Sequence, residues 1–115
     1  MATRQGTLII GEDGVARARW TGITEADQGS AVGGLSGYPD RSVQVVGDFT
    51  TSGAITLEGS NDGGTSWSTL NDFEGDALVI TTTDIRLIAE NPDLIRPRAT
   101  AGSSVSMDVY IVGMR

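Results

Sequence analysis

The chain contains no cysteine, no histidine and no lysine. The first absence removes disulfide frameworks, thiol nucleophiles, zinc fingers and iron–sulfur ligation. The second removes Ser-His-Asp hydrolysis, His-based metal sites and most general-base catalysis near neutral pH. The third removes Schiff-base chemistry and the Walker-type phosphate loop. The expectation is a protein that is not an enzyme and carries no cofactor. Aromatic residues are scarce at 5%, and hydrophobic content is only 38%. A monomer of 115 residues with that composition would have a thin core, so other copies or a larger partner are expected to supply burial. Apolar runs are too short to cross a membrane, so no membrane partner is expected.

All the basic residues are arginine, and they are outnumbered by Asp and Glu, which gives a net charge of -7. Nucleic acid is therefore not an expected partner, because phosphate binding needs clustered positive charge. The start, Met1-Ala-Thr-Arg-Gln-Gly6, has no apolar run after its charge and does not read as a signal peptide, so synthesis in a cytoplasm is expected.

Glycine, threonine, serine and valine are abundant, and they favour turns and strands over helices. No apolar pattern of helical period persists, whereas short alternating runs recur between Gly, Asn and Asp. Residues 7–10 and 15–20 read as a hairpin around Gly11-Glu-Asp-Gly14. Further strands are expected over 42–49, 54–60, 67–70, 77–82, 94–100 and 105–112. Asn61-Asp-Gly-Gly64 is the clearest turn signal, since these residues tolerate positive φ. Residues 84–90 read equally as a strand or as one or two helical turns. Pro97 places its strand at an edge, a bulge or an exposed point. The fold class is all-β, an antiparallel sandwich or jelly roll of about eight strands. Residues 21–41, rich in glycine, read as a long surface loop, so that 1–41 form an N-terminal hairpin or arm and 42–115 the sandwich core of one domain overall.

Candidate chemistry is sparse. The glycines from Gly29 to Gly37 lack the strand, helix and lysine of a phosphate loop, and Ser36 has no histidine to activate it. Asp72, Glu74 and Asp76 offer hard oxygens for calcium, but their spacing is not that of an EF-hand, and an acidic solvated turn accounts for them. Trp67 follows Asn61 and Asp62, and could stack on a sugar or pack over the neighbouring strand as core; Trp20 poses the same choice. Arg96 and Arg98 bracket Pro97, and arginine forks suit carboxylates on a partner.

From Val43 to Ile111 the chain resembles small β-sandwich virion proteins of tailed bacteriophages, including head decoration (cement) proteins. The residues that carry this are Val43-Gln-Val-Val-Gly-Asp-Phe49, Ile55-Thr-Leu-Glu-Gly-Ser-Asn-Asp-Gly-Gly-Thr-Ser-Trp67, Asn91-Pro92 with Leu94-Ile-Arg-Pro-Arg98, and Val109-Tyr-Ile-Val112. The resemblance implies a non-enzymatic protein on the outer surface of a phage head. It would bind the major capsid protein and stabilise the shell, usually as an oligomer, with a trimer suited to a three-fold lattice site. Expected partner contacts are Thr7, Leu8, Ile9 and Ile10, which could add a strand to a neighbouring sheet, together with Leu35, Tyr38, Arg96 and Arg98. The alternatives are a tail or fibre component, or a carbohydrate-binding sandwich using Asn61, Asp62 and Trp67.

Overall fold

The computed structural model describes residues 3–11, 13–24, 27–50, 53–100 and 105–115. It is an all-β sandwich with no helix among the described residues. One sheet is antiparallel and five-stranded, in the order β10 (Asp84–Leu87), β6 (Asp40–Asp48), β12 (Ser106–Met114), β3 (Val15–Ile23) and β2 (Gly6–Ile10). The other runs β1 (Thr3–Arg4), β4 (Gln28–Gly29), β11 (Leu94–Thr100), β7 (Ala54–Ser60) and β8 (Ser68–Thr69). Beside β4, the two-residue β5 (Val32–Gly33) also pairs with β11, and β9 (Val79–Ile80) pairs with β7.

Period-two alternation builds the five-stranded sheet. Met107, Val109 and Ile111 of β12, Val43 and Val45 of β6, and Ala16, Ala18 and Trp20 of β3 all point inward and are buried. Each large apolar side chain so buried contributes about 1.5–3 kcal/mol. The alternation breaks once. Between Met107 and Val109 the register with β3 shifts, so that Ile23 rather than Gly22 faces Met107. Gly22 takes up the extra residue at φ +68° and donates its N–H to Asp108 Oδ1 at 2.9 Å. Ile23 thereby returns to the core.

Trp20 is fully buried, which answers its sequence ambiguity in favour of core. Its Nε1 donates to the Ser30 carbonyl at 3.0 Å. A Cβ on Gly29 would lie 2.7 Å from the indole and 2.6 Å from Pro97, and one on Gly6 would strike the same indole. The two glycines are there because β2 and β4 pass against the ring.

The N-terminal segment is not an arm. β1 pairs in parallel with β4, β2 pairs along its whole length with β3, and Leu8 packs against the core. Nor is 21–41 a surface loop, because Ile23, Val32, Leu35 and Tyr38 are all buried in the core cluster. These apolar residues occur singly and so have no period, yet each fills a core position. Leu35 and Tyr38, expected at a partner surface, are therefore occupied by packing.

The expected strands are all present, with small changes of boundary, and the ambiguous 84–90 segment contributes a strand, β10. Pro97 lies neither at an outer edge nor exposed. It sits inside the sheet, where β11 faces β5 through Leu94 and Ile95 and β4 through Arg98. The Ala99 N–H donates to Asp27 O on that same side. The alternate main-chain groups, including the N–H that Pro97 lacks, thus point at the gap between β5 and β4.

Gly29→Ala is expected to destabilise the protein by about 1–3 kcal/mol, because neither the indole nor the Pro97 ring can yield far. Urea unfolding of the variant against wild type measures this.

Candidate functional site

The outer face of the seven-stranded sheet carries most of the side chains with binding chemistry. Strand alternation turns Thr56, Glu58 and Ser60 of β7 outward, and Arg96 and Arg98 of β11 with them. The register sets Arg96 opposite Glu58 and Arg98 opposite Thr56. Glu58 bonds both guanidinium groups, Oε1 accepting from Arg96 Nε at 3.0 Å and Oε2 from Arg98 Nε at 3.1 Å. One carboxylate thus serves two cations, which leaves a local positive charge on a chain of net charge -7. Both bonds use Nε, and the Nη donors have no protein partner among the described residues. Arg98 is the more open of the two, its side chain 40% exposed.

Trp67 completes this group. Its Nε1 donates to Gly64 O at 3.0 Å, and the Arg96 guanidinium carbon lies 4.1 Å from the ring centroid. Such a cation–π contact at a partly exposed site contributes about 0.5–1 kcal/mol. The indole is half-buried, neither a core residue nor a bare platform.

Next to it, a polar groove of about 470 Å³ includes Asn61, Asp62, Ser66, Glu90 and Asn91 in its lining. Asn61 and Asp62 are brought together here, while Trp67 is not part of the lining. Both acid and amide also serve the backbone. Asn61 Oδ1 accepts from the Asp93 N–H at 2.7 Å. Asp62 Oδ1 accepts from the Ser66 N–H at 2.9 Å and the Ser60 hydroxyl at 2.7 Å. These bonds, the Ser66 N–H foremost, hold the Asp62 carboxyl down at about 2. Glu90 accepts from Asn71 at both its N–H and its Nδ2, each at 2.7 Å. Burial raises the Glu90 pKa, but the bonds from Asn71 outweigh it and the net shift is downward.

The sequence reading missed Arg41. The parity that turns Val43 and Val45 inward turns Arg41 inward too, and it is only 1% exposed. Its Nη2 donates to the Glu90 carbonyl, whereas Nε and Nη1 have no partner among the described residues. Desolvation lowers its pKa, and the nearby Glu90 charge partly offsets that. In the turn at 72–76, Asp72 Oδ1 accepts from the N–H groups of Glu74 and Asp76 at 2.9 Å each, and Oδ2 pairs with Arg86. Its carboxylate is spent on the turn and the ion pair.

The second candidate surface lies on the five-stranded sheet. Register lines up two outward rows across it: Ile85, Gln44, Tyr110, Arg19 and Thr7, and Leu87, Ser42, Val112, Arg17 and Ile9. Thr7, Ile9 and Ile10 are exposed at the β2 end, and Leu8 is half-buried. A shallow groove of about 210 Å³ beside β2 includes Thr7, Ile9, Arg17 and Tyr110.

No family model matches the chain, and no curated protein matches it. Among solved structures, it is similar to the SPBc2 prophage-derived protein YomS, with a TM-score of 0.61 and 11% identity over 92% of this chain and 98% of that one. It is also similar to a cupin 2 domain-containing protein from Halorhodospira halophila, with a TM-score of 0.50 and 9% identity. That match covers 96% of this chain but 64% of the cupin-domain protein. At these identities the likeness is one of fold: a small β-sandwich of the jelly-roll kind, shared with a phage-derived protein.

The Asp62 geometry has a consequence in acid. A carboxylate whose folded pKa is depressed contributes stability that is fully present above its unfolded pKa of about 3.9. That contribution is lost as the pH falls toward about 2. Asp62→Asn is expected to lower the melting temperature at neutral pH and to flatten its decline across this acid window. Thermal melts at stepped pH measure both.

Proposed function

We propose that this protein is a non-enzymatic structural component of a phage particle, a decoration protein that binds the assembled head and stabilises it. The observation that carries this reading is the nearly end-to-end likeness of fold to a prophage-derived protein of similar extent. The residues themselves support it. The chain lacks the His, Cys and Lys of the common catalytic mechanisms. Its most distinctive surface chemistry is a pair of arginines that share one carboxylate and keep donors to spare. Such a patch suits carboxylates on a capsid surface. The proposed partner is the major capsid protein, with this chain on the outside of the shell as a homo-oligomer, a trimer in preference to a dimer. Repeated weak contacts on a lattice add through avidity.

A second reading rests on the polar groove beside Trp67: a carbohydrate-binding module, or a fibre component, that takes a sugar against Asn61 and Asp62.

Co-sedimentation with phage heads stripped of their decoration protein tests the first reading. Wild type is expected to pellet with heads in a saturable manner at micromolar concentration. An Arg96→Glu, Arg98→Glu variant is expected to bind more weakly by about tenfold or more. Failure of the wild type to pellet overturns the reading. Binding to a glycan array that Asn61→Ala abolishes, with the melting profile kept, would favour the second.

A further inference from the structure

We infer that copies of this chain join head to tail through opposite edges of the five-stranded sheet, the β2 edge of one copy docking against the β10 edge of the next. The inference deepens the homo-oligomer part of the reading above and is independent of the capsid part.

The first observation is an unguarded strand edge. The Gly11 N–H donates to Val15 O, which fixes the hydrogen-bonding phase of the β2–β3 ladder. Thr7 and Ile9 bond β3, and the main-chain groups of Gly6, Leu8 and Ile10 point away from it. The Gly6 N–H is taken by Ser30 Oγ at 2.8 Å. Those of Leu8 and Ile10 have no partner among the described residues. Natural sheets guard such edges with charge, proline or a bulge. Gly6-Thr-Leu-Ile-Ile10 has none of these, and Ile9 is 57% exposed.

The second observation is a matching edge on the far side of the same sheet. The Ile88 N–H donates to Arg41 O. By the same phase argument, Ile85 and Leu87 turn their main-chain groups outward; the Ile85 N–H is taken by Asp84 Oδ1 at 2.8 Å, and that of Leu87 has no partner among the described residues. Ile85 is 61% exposed, and Phe73 on the adjoining turn is 62% exposed. A groove runs between that turn and β10, with Phe73, Ile85 and Leu87 in its lining together with Glu74, Asp76 and the paired Asp72 and Arg86.

Charge selects the pairing. The β2 end carries Arg19 and Arg17 on its outer face, with Asp13 3.7 Å from Arg17, and the β10 end carries Glu74, Asp76 and Asp84 beside the mutually paired Asp72 and Arg86, so the first end is net positive and the second net negative among the described residues. Two β2 ends would set arginines against arginines, and two β10 ends acids against acids. Only the head-to-tail contact puts opposite charges together while covering isoleucine with isoleucine and leucine. Such a contact is heterologous, so each copy gives one edge and receives at the other until a ring closes. A second copy is the occupant that supplies both the apolar strand and the complementary charge.

Sedimentation equilibrium or light scattering on the purified chain at micromolar concentration tests this. Wild type is expected to give one discrete mass above that of a single chain. Arg17→Glu with Arg19→Glu, and separately Glu74→Arg with Asp76→Arg, are each expected to give single chains with an unchanged circular dichroism spectrum. Mixed in equal amounts, the two variants are expected to reassemble, because each reversed end then meets an end of opposite sign. A wild type of single-chain mass overturns both this interface and the homo-oligomer reading. Variants that keep the wild-type mass, or a mixture that stays dissociated, overturn this interface and leave an oligomer through some other face. None of these results decides co-sedimentation with heads.

Discussion

The indole of Trp20 is the piece around which the two sheets close. It belongs to β3, in the five-stranded sheet, and its neighbours come from both sheets: Gly6 of β2, then Gly29 of β4, with Pro97 of β11 packed against the same glycine. Its one polar atom is satisfied by the Ser30 carbonyl, just past β4. A buried indole without that partner would carry the cost of an unmade hydrogen bond, about 1–3 kcal/mol. The short strands β1, β4 and β5 are too brief to hold themselves. β4 stays in place because it packs on the ring through Gly29 and pairs with β11, β5 because it too pairs with β11, and β1 because it pairs with β4.

From that arrangement follows the different treatment of charge on the two sheets. In the five-stranded sheet, inward parity buries Arg41, whose cost is met only partly by the Glu90 carbonyl. In the other sheet, outward parity puts Glu58 between Arg96 and Arg98 and lays Arg96 over Trp67. The shared carboxylate orients both guanidinium groups by their Nε atoms, so less side-chain entropy is lost when the remaining donors meet a partner. A preorganised cationic pair on an acidic protein is also a local reversal of the long-range field, which favours specificity in docking more than bulk affinity.

Much of this was legible from the residues alone. Strands with four or more alternating positions, such as Val43 to Phe49 and Val105 to Val112, announce both their existence and their inward face, because a period of two is a physical consequence of the pleat. Strands β1, β4 and β5 have two residues each and therefore no period to read. Gly29, read as part of a glycine-rich surface loop, and Gly6 mark in the fold the close approach of two strands to Trp20. Leu35 and Tyr38 looked available to a partner for the same reason: an isolated apolar residue in a glycine-rich stretch gives no sign of which way it faces. At the candidate site, Arg96 and Arg98 were visible as a pair on one face. Their shared acid, Glu58, lies on another strand, and the capping of Trp67 by Arg96 depends on a long-range register that no local pattern encodes.

The sandwich leaves its two outer surfaces unequal. The central strand β7 is buried along its entire length, its outward Thr56, Glu58 and Ser60 covered along with its core-facing side. On that strand Glu58 is spent on Arg96 and Arg98 and Ser60 on Asp62, while the two arginines keep spare donors. The five-stranded sheet ends instead in two short edges that expose isoleucines and leave the main-chain N–H groups of Leu8, Ile10 and Leu87 without a partner among the described residues. An uncharged apolar edge persists in a natural protein when something pairs with it, since an unpaired one recruits strands indiscriminately. The thin core that composition implies is consistent with that. Apolar residues withheld from the interior stand at the edges of one sheet, in the positions where a neighbouring chain would remove them from water.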